Sequence, residues 1–224
     1  MRKVAQFKLS VIFAVCCLLD IFFSYQGLFY WHLISKALLV PILLQLSGTG
    51  TDNSYLRWLQ TGLVFSWIGD VLLLFDGKHE LFFMGGLAAF LTTHIFYIIY
   101  FIRKKGAAPS FLLKQPWWAF LVIVYGISLV WLLFPKLGGL TVPVVVYATV
   151  ICTMLLAALN AFNGISSPSR HYYWLGALAF VISDSLLAVN KFYQPFNGAG
   201  ALIMLTYCAA QYLIVKGAVE SGEI

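Results

Sequence analysis

The chain is a succession of long apolar runs separated by short polar stops. Read as helices, the runs place spans at 7–25, 28–46, 57–75, 80–102, 116–134, 138–160, 171–190 and 197–216. A helix needs about 20 apolar residues to cross the hydrocarbon core, so the chain has room for about eight crossings. The stops hold turn formers and charges: Gly48-Thr49-Gly50-Thr51-Asp52-Asn53-Ser54, Asp76-Gly77-Lys78-His79-Glu80, Arg103-Lys104-Lys105-Gly106, Ser166-Ser167-Pro168-Ser169-Arg170 and Gln194-Pro195. None is long enough for a separate soluble domain. The expected fold is an all-α, polytopic membrane helix bundle, a single transmembrane domain over 1–224.

Two of the runs contain a bare carboxylate, in Ser66-Trp67-Ile68-Gly69-Asp70-Val71 and Val181-Ile182-Ser183-Asp184-Ser185-Leu186. An ionised Asp at bilayer depth costs about 2.5–3.5 kcal/mol on insertion scales, so such residues face a bundle interior and act there. Laying 62–98 over 176–212 without gaps pairs Gly62 with Gly176, Asp70 with Asp184, Gly86 with Gly200 and Thr92 with Thr206. Spans three and seven run in the same direction. The two four-helix halves are therefore expected to be parallel repeats about an axis along the membrane normal. At a rise of 1.5 Å per residue, both aspartates lie roughly 20 Å from the cytoplasmic start of their spans, in one layer with Lys36.

Composition fixes the class and charge fixes the orientation. Hydrophobic residues make up 62% of the chain and charged residues 10%, with a mean hydropathy of +0.90, whereas a soluble domain is roughly a quarter charged. The formal charge of +6 does not indicate a nucleic-acid partner, because the basic residues fall between apolar runs rather than on one face. With an even number of crossings, Lys8, Arg57, Arg103, Lys104, Lys105, Lys114, Arg170 and Lys216 share the side of Arg2 and Lys3, against Lys78, Lys136 and Lys191. The positive-inside rule makes that side, and both termini, cytoplasmic. The first run continues through Asp20 without a small-x-small cleavage site, so it is read as a retained span. Cys16, Cys17, Cys152 and Cys208 have no metal-like spacing and are read as small packing residues.

The remaining polar residues each have two readings. Lys36 is a counter-ion or phosphate ligand, or else a structural partner of the aspartates. Asp20, near the outer end of its span, is read as solvated or span-capping. His94, with Phe90 one turn before it and Tyr97 at i+3, is an interhelical hydrogen-bonding contact or a catalytic group. Tyr147 and the Tyr207/Gln211 pair have the same standing. Pro143 is expected to bend span six, and Gly85, Gly86, Gly198 and Gly200 to permit close helix contact. Asp52, Asp76, Glu80, Glu220 and Glu223 are read as loop or tail charges.

These residues resemble the YhhN-like integral-membrane lysoplasmalogenases over nearly the whole chain. The resemblance rests on Ser66-Trp67-Ile68-Gly69-Asp70 and its leucines, on Gly86-Leu87-Ala88-Ala89-Phe90 with His94 and Tyr97, on Pro143 with Tyr147, Met154 and Ala157, and most specifically on Gly176 followed by Phe180-Val181-Ile182-Ser183-Asp184-Ser185. It implies hydrolysis of the vinyl-ether bond of a lysophospholipid, lysoplasmalogen, to a fatty aldehyde and glycerophosphoethanolamine or glycerophosphocholine. A vinyl ether resists base but becomes an oxocarbenium ion once its outer carbon is protonated. Burial and a second carboxylate both favour the protonated acid that this step needs, and inverting glycosidases divide similar work between two carboxyls. The chemistry needs no cofactor. Asp70 and Asp184 are the expected acid and base, with Lys36, His94, Tyr97, Tyr147, Asn190, Tyr207 and Gln211 as substrate-binding candidates. The competing reading is a proton-coupled transporter of small molecules or lipids, since carriers also use paired midspan carboxylates.

Overall fold

A computed structural model describes residues 2–48, 54–105, 107–165 and 167–221. Residues 49–53, among them Asp52, and Gly106, Ser166 and Glu223 lie outside the described residues, as do the side chains of Arg2 and Lys3. The described residues form α-helices with short 3₁₀ and π turns and no strand. In chain order the helices are α1 (Arg2–Tyr25), α2 (Phe29–Leu46), α3 (Ser54–Leu73), α4 (Glu80–Lys105), the single turn α5 (Phe111–Lys114), α6 (Trp117–Leu137), α7 (Thr141–Asn160), α8 (Ser169–Ala188) and α9 (Ala199–Glu220).

The long helices follow the expected spans, and by length and composition six stretches can cross a membrane. One of these stretches, Trp117–Gly164, contains both α6 and α7. Helix α3 is not among them, because Arg57, Gln60, Thr61 and Asp70 interrupt its apolar sequence. Its place is set by α4, against which it packs along its length, just as α8 packs against α9. Glycines make these two contacts close. A β-carbon at Gly62 would lie 2.5 Å from the Tyr97 ring, and one at Gly176 would lie 2.9 Å from the Ala210 carbonyl oxygen.

One contiguous cluster of buried residues draws on α1 to α4 and α6 to α9, including Leu39, Leu63, Tyr97, Met154, Phe180 and Ile214. The outer surface is equally apolar. Helix α6 buries only Val122, Leu133 and Leu137 and exposes Trp117, Phe120, Ile127, Trp131 and Phe134. A soluble monomer does not leave so continuous an apolar surface in water. This is the periphery of a multi-pass membrane protein, whose backbone polar groups are satisfied within each helix.

Two expectations about backbone punctuation are corrected. Helix α7 starts at Thr141, so Pro143 sits in its first turn instead of its interior, where no intrahelical acceptor awaits its missing N–H and a proline calls for no bend. Of the four glycines expected at close contacts, Gly86 fits the expectation, since a β-carbon there would meet Leu73 Cδ2 at 2.6 Å. Gly85 is near Leu72, at 3.2 Å. Gly198 and Gly200 have nothing within 4 Å; Gly198 instead takes φ +79° at the start of α9, a conformation that favours glycine.

Candidate functional site

Asp70 follows a glycine at which α3 lies close against α4. A β-carbon at Gly69, its neighbour, would lie 2.7 Å from the Phe90 ring. The carboxyl is buried, and its Oδ2 accepts a 2.6 Å hydrogen bond from the Tyr207 hydroxyl of α9. Gln211 Nε2 donates to that hydroxyl at 3.2 Å, and Tyr97 of α4 donates to Gln211 Oε1 at 2.6 Å. Donors run in one direction from Tyr97 through Gln211 and Tyr207 to the carboxylate, and such chains polarise one another.

Asp184 of α8 has a different set of partners. Its Oδ2 accepts from the Tyr147 hydroxyl of α7 and lies 3.2 Å from His94 Nε2 of α4. His94 Nε2 is also 3.0 Å from the Tyr147 oxygen, while the buried Nδ1 has no partner among the described residues. With Asp184 ionised, Nε2 is the nitrogen that carries the donor proton, because a carboxylate only accepts. Phe180, one turn before Asp184, meets the imidazole edge-on at a centroid distance of 4.7 Å and fixes its plane.

A cavity of about 380 Å³ brings the two carboxyls together, within the usual size range of small-molecule sites. Asp70, Asp184, Lys36, Asn190 and Tyr207 line it, with Ser183 and Met204. Asn190 reaches the wall because α8 ends in a π turn, Val189–Tyr193, a widening frequent at functional sites. His94 and Tyr147 stand behind Asp184, and Tyr97 and Gln211 stand behind Tyr207. Oδ1 of neither aspartate takes a hydrogen bond from the described residues. Among the described residues, each carboxyl thus has one oxygen anchored and one that receives no donor. Among the described residues no group of three or more His, Cys, Asp and Glu side chains is placed to hold a metal ion.

The expectation for Asp20 is overturned. It is fully buried, with Oδ1 accepting from Ser35 Oγ at 3.1 Å and lying 3.5 Å from His32 Nε2, and Oδ2 lying 4.0 Å from Lys36 Nζ. The last turns of α1 lie on α2, so its carboxyl meets polar side chains there instead of solvent. Asp76 is also more than a loop charge: it lines the cavity and pairs with Lys191 at 2.9 Å. His32, another lining residue, was legible in principle because it precedes Lys36 by four residues and so shares its helix face. Asp76 and Met204 carried no such local signal.

The YhhN family model matches residues 31–218. Among similar proteins, the chain is 36% identical over 170 residues to lysoplasmalogenase TMEM86A of Bos taurus, covering 72% of this chain and 65% of the relative. It is 34% identical over 171 residues to lysoplasmalogenase TMEM86B of Homo sapiens, covering 76% and 67%. A lysoplasmalogenase of Mycobacterium tuberculosis is 33% identical over 175 residues, with 75% and 62% covered. The chain thus spans less than two thirds of the length of the bovine relative. No solved structure matches it.

Proposed function

Because this chain belongs to the YhhN family, we propose that it is a lysoplasmalogenase in which Asp70 and Asp184 divide the acid and base roles. The observation that carries this reading is the single cavity lined by both carboxyls. In the reaction, the protonated carboxyl gives its proton to the outer alkenyl carbon, whose π electrons form the new C–H bond. The resulting oxocarbenium ion is stabilised by the ionised partner. That partner then takes a proton from a water as its oxygen adds to the inner carbon. The carboxyl that took the water proton then gives it to the glycerol oxygen as the hemiacetal C–O bond breaks, while the first carboxylate takes the hemiacetal hydroxyl proton, which releases the aldehyde and returns both acids to their starting states. General acid or base help of this type contributes typically ~10²–10⁴ in rate. Anchoring Oδ2 of each aspartate through a tyrosine hydroxyl leaves Oδ1 for the substrate, a division that holds the reacting oxygen in place without occupying it.

The test uses purified protein in detergent, with no gradient across a membrane. Asp70→Asn and Asp184→Asn should each abolish aldehyde release while the protein stays folded. Full activity in both variants would remove the mechanism, and an inactive wild type would favour transport.

Two further assignments complete the proposal. The stretches 62–98 and 176–212 are parallel repeats, a reading supported by the Tyr97–Gln211 hydrogen bond between positions 114 apart. That is the offset that superposes Asp70 on Asp184, and a residue can touch its own equivalent only near the axis. Both termini face the cytoplasm, as the placement of basic residues requires. A C-terminal tag should then be digested by protease in inside-out vesicles and protected in right-side-out ones.

A further inference from the structure

Asp184 stands between two unlike compartments. On one flank is the polar cavity it shares with Asp70, which reaches the end of the bundle where α1 turns into α2 and α3 into α4, since Ser24, Phe29 and Asp76 line it. On the other flank is an apolar crevice of about 40 Å³ between α6, α7 and α8, where Asp184 and Tyr147 meet Leu129, Leu133 and Ile151. That crevice shares Gly126, Val130, Ala148 and Cys152 with a groove of about 640 Å³ on the outer side of the α6/α7 seam, where Ile127 and Trp131 are exposed. The groove is apolar in effect, because its Thr149 and Thr153 hydroxyls bond to carbonyls of α7 itself, at 2.8 and 2.7 Å. Helix α6, its other wall, buries only Val122, Leu133 and Leu137 and ends at Gly138, at φ +51°.

We propose that the groove between α6 and α7 receives the hydrocarbon chain of the substrate, and that α6 moves away from α7 to let that chain reach Asp184. The identity of the lipid rests on the hydrolase reading; the place of its chain rests on the two compartments. A lysolipid is polar at one end and apolar at the other, with the vinyl ether at the junction, and Asp184 lies at the matching junction of the protein. Direction agrees as well. From the level of Tyr147 the groove continues along α7 to Leu156, about 14 Å at 1.5 Å per residue, away from the end of the bundle that the polar cavity reaches. That length is close to one leaflet's share of the ~30 Å hydrocarbon core. A chain so placed points toward the bilayer centre and its headgroup toward the surface. Lipid tails are as apolar as the groove walls, so the groove contributes position: it fixes the alkenyl carbons beside the carboxyl. The crevice at Asp184 is too small to hold a chain as it stands, which is why α6 must shift. The opposite side of α6 has a smaller groove of about 290 Å³ against α8, but there the Tyr125 hydroxyl donates to Ser185 Oγ at 2.7 Å and ties the two helices together. The α6/α7 seam is built instead of the small residues Gly126, Ala148 and Cys152.

The seam can be locked reversibly. A β-carbon at Gly126 would lie 2.9 Å from Cys152 Sγ, near enough for Gly126→Cys to form a disulfide with that free thiol. The purified variant in detergent is oxidised with copper phenanthroline, and the bridge is verified by mass spectrometry. Aldehyde release from hexadecenyl-glycerophosphocholine should fall by about tenfold or more, as when a gating motion is blocked, and return on reduction with dithiothreitol. Propenyl-glycerophosphocholine, whose chain barely extends past the reacting carbons, should be hydrolysed equally in both states. Gly126→Cys combined with Cys152→Ser, which cannot form this bridge, should not respond to the oxidant. A second measurement needs neither turnover nor a variant. A saturated 1-alkyl-glycerophosphocholine with a diazirine at the end of its chain should, on irradiation with wild-type protein, label Ile123, Ile127, Thr153 or Leu156, and excess unlabelled ether should displace it. Full turnover of the hexadecenyl lipid by the bridged protein, an equal loss with both substrates, or label at Trp118 or Leu178 of the α6/α8 groove overturns the proposal. Label that excess ether does not displace marks surrounding lipid only and overturns it too. Failure of the wild type to release aldehyde from either substrate would instead defeat the hydrolase reading, and displaceable label on α6 and α7 would still establish the chain site.

Discussion

Tyr147 and Tyr97 sit at different removes from the two carboxyls, and that difference is measurable. Tyr147 donates directly to Asp184 Oδ2, whereas Tyr97 reaches Asp70 only through Gln211 and Tyr207. Removing a donor from a buried carboxylate costs about 1–3 kcal/mol. Tyr147→Phe is therefore expected to lower kcat for aldehyde release by about tenfold to a hundredfold with KM little changed, the signature of an interaction that matters at the reacting atoms. Tyr97→Phe should lower it by less than about tenfold, because Tyr207 remains to hold Asp70. Steady-state kinetics on the two variants compares them directly. His94 is held from both sides, by Asp184 and by the Phe180 ring; under the proposed mechanism its unpartnered Nδ1 suits it to orient the carboxylate rather than to pass on a second proton.

Among the elements, the close pairs α3/α4 and α8/α9 carry the site, and glycine sets their approach. Valine at Gly176 would drive a β-carbon to 2.7 Å from Ile214 Cγ1 and 2.9 Å from the Ala210 carbonyl oxygen. Overpacking of this type costs about 1–3 kcal/mol. Gly176→Val should lower the thermal midpoint in detergent, while Gly200→Ala, with nothing within 4 Å of the added carbon, should leave it near the wild-type value. The ends of the elements matter as well. The π turn that closes α8 brings Asn190 to the cavity, where its Oδ1 accepts from the Phe196 amide at 3.3 Å and ties the turn to the chain that leads into α9.

The whole molecule is organised so that neither carboxyl is served by its own helix pair alone. Asp70 on α3 takes its hydrogen bond from α9, and Asp184 on α8 lies against α4 and α7. Asp70 thus takes its donor from α9, near the other end of the chain, whereas Asp184 is held by Tyr147 of the adjacent α7 as well as by His94 of the distant α4. If the halves are parallel repeats, Tyr97 and Gln211 mark the place where they meet. A double-mutant cycle of Tyr97→Phe and Gln211→Leu, read by thermal unfolding, should then show a coupling of about 0.5–3 kcal/mol. Additive losses would place the two side chains apart. Both repeats of such a site must be in place before it works, so separate expression of the two halves should give no aldehyde release until they are combined.

The succession of helices was legible in the sequence because a membrane leaves the backbone no other way to satisfy its hydrogen bonds. Asp70 and Asp184 were legible as exceptions to the apolar rule, without reference to any partner. The sequence could not show how each helix is rotated. A helix such as α6, apolar on every side, carries no periodic stripe to say which face is inward. For that reason the burial of Asp20 against Ser35, the return of Asp76 to the cavity and the choice of Tyr147 for one aspartate and Tyr207 for the other were settled only by tertiary packing. Composition put the charges in the bilayer, and the interlocking of side chains between helices decided which groups they meet there.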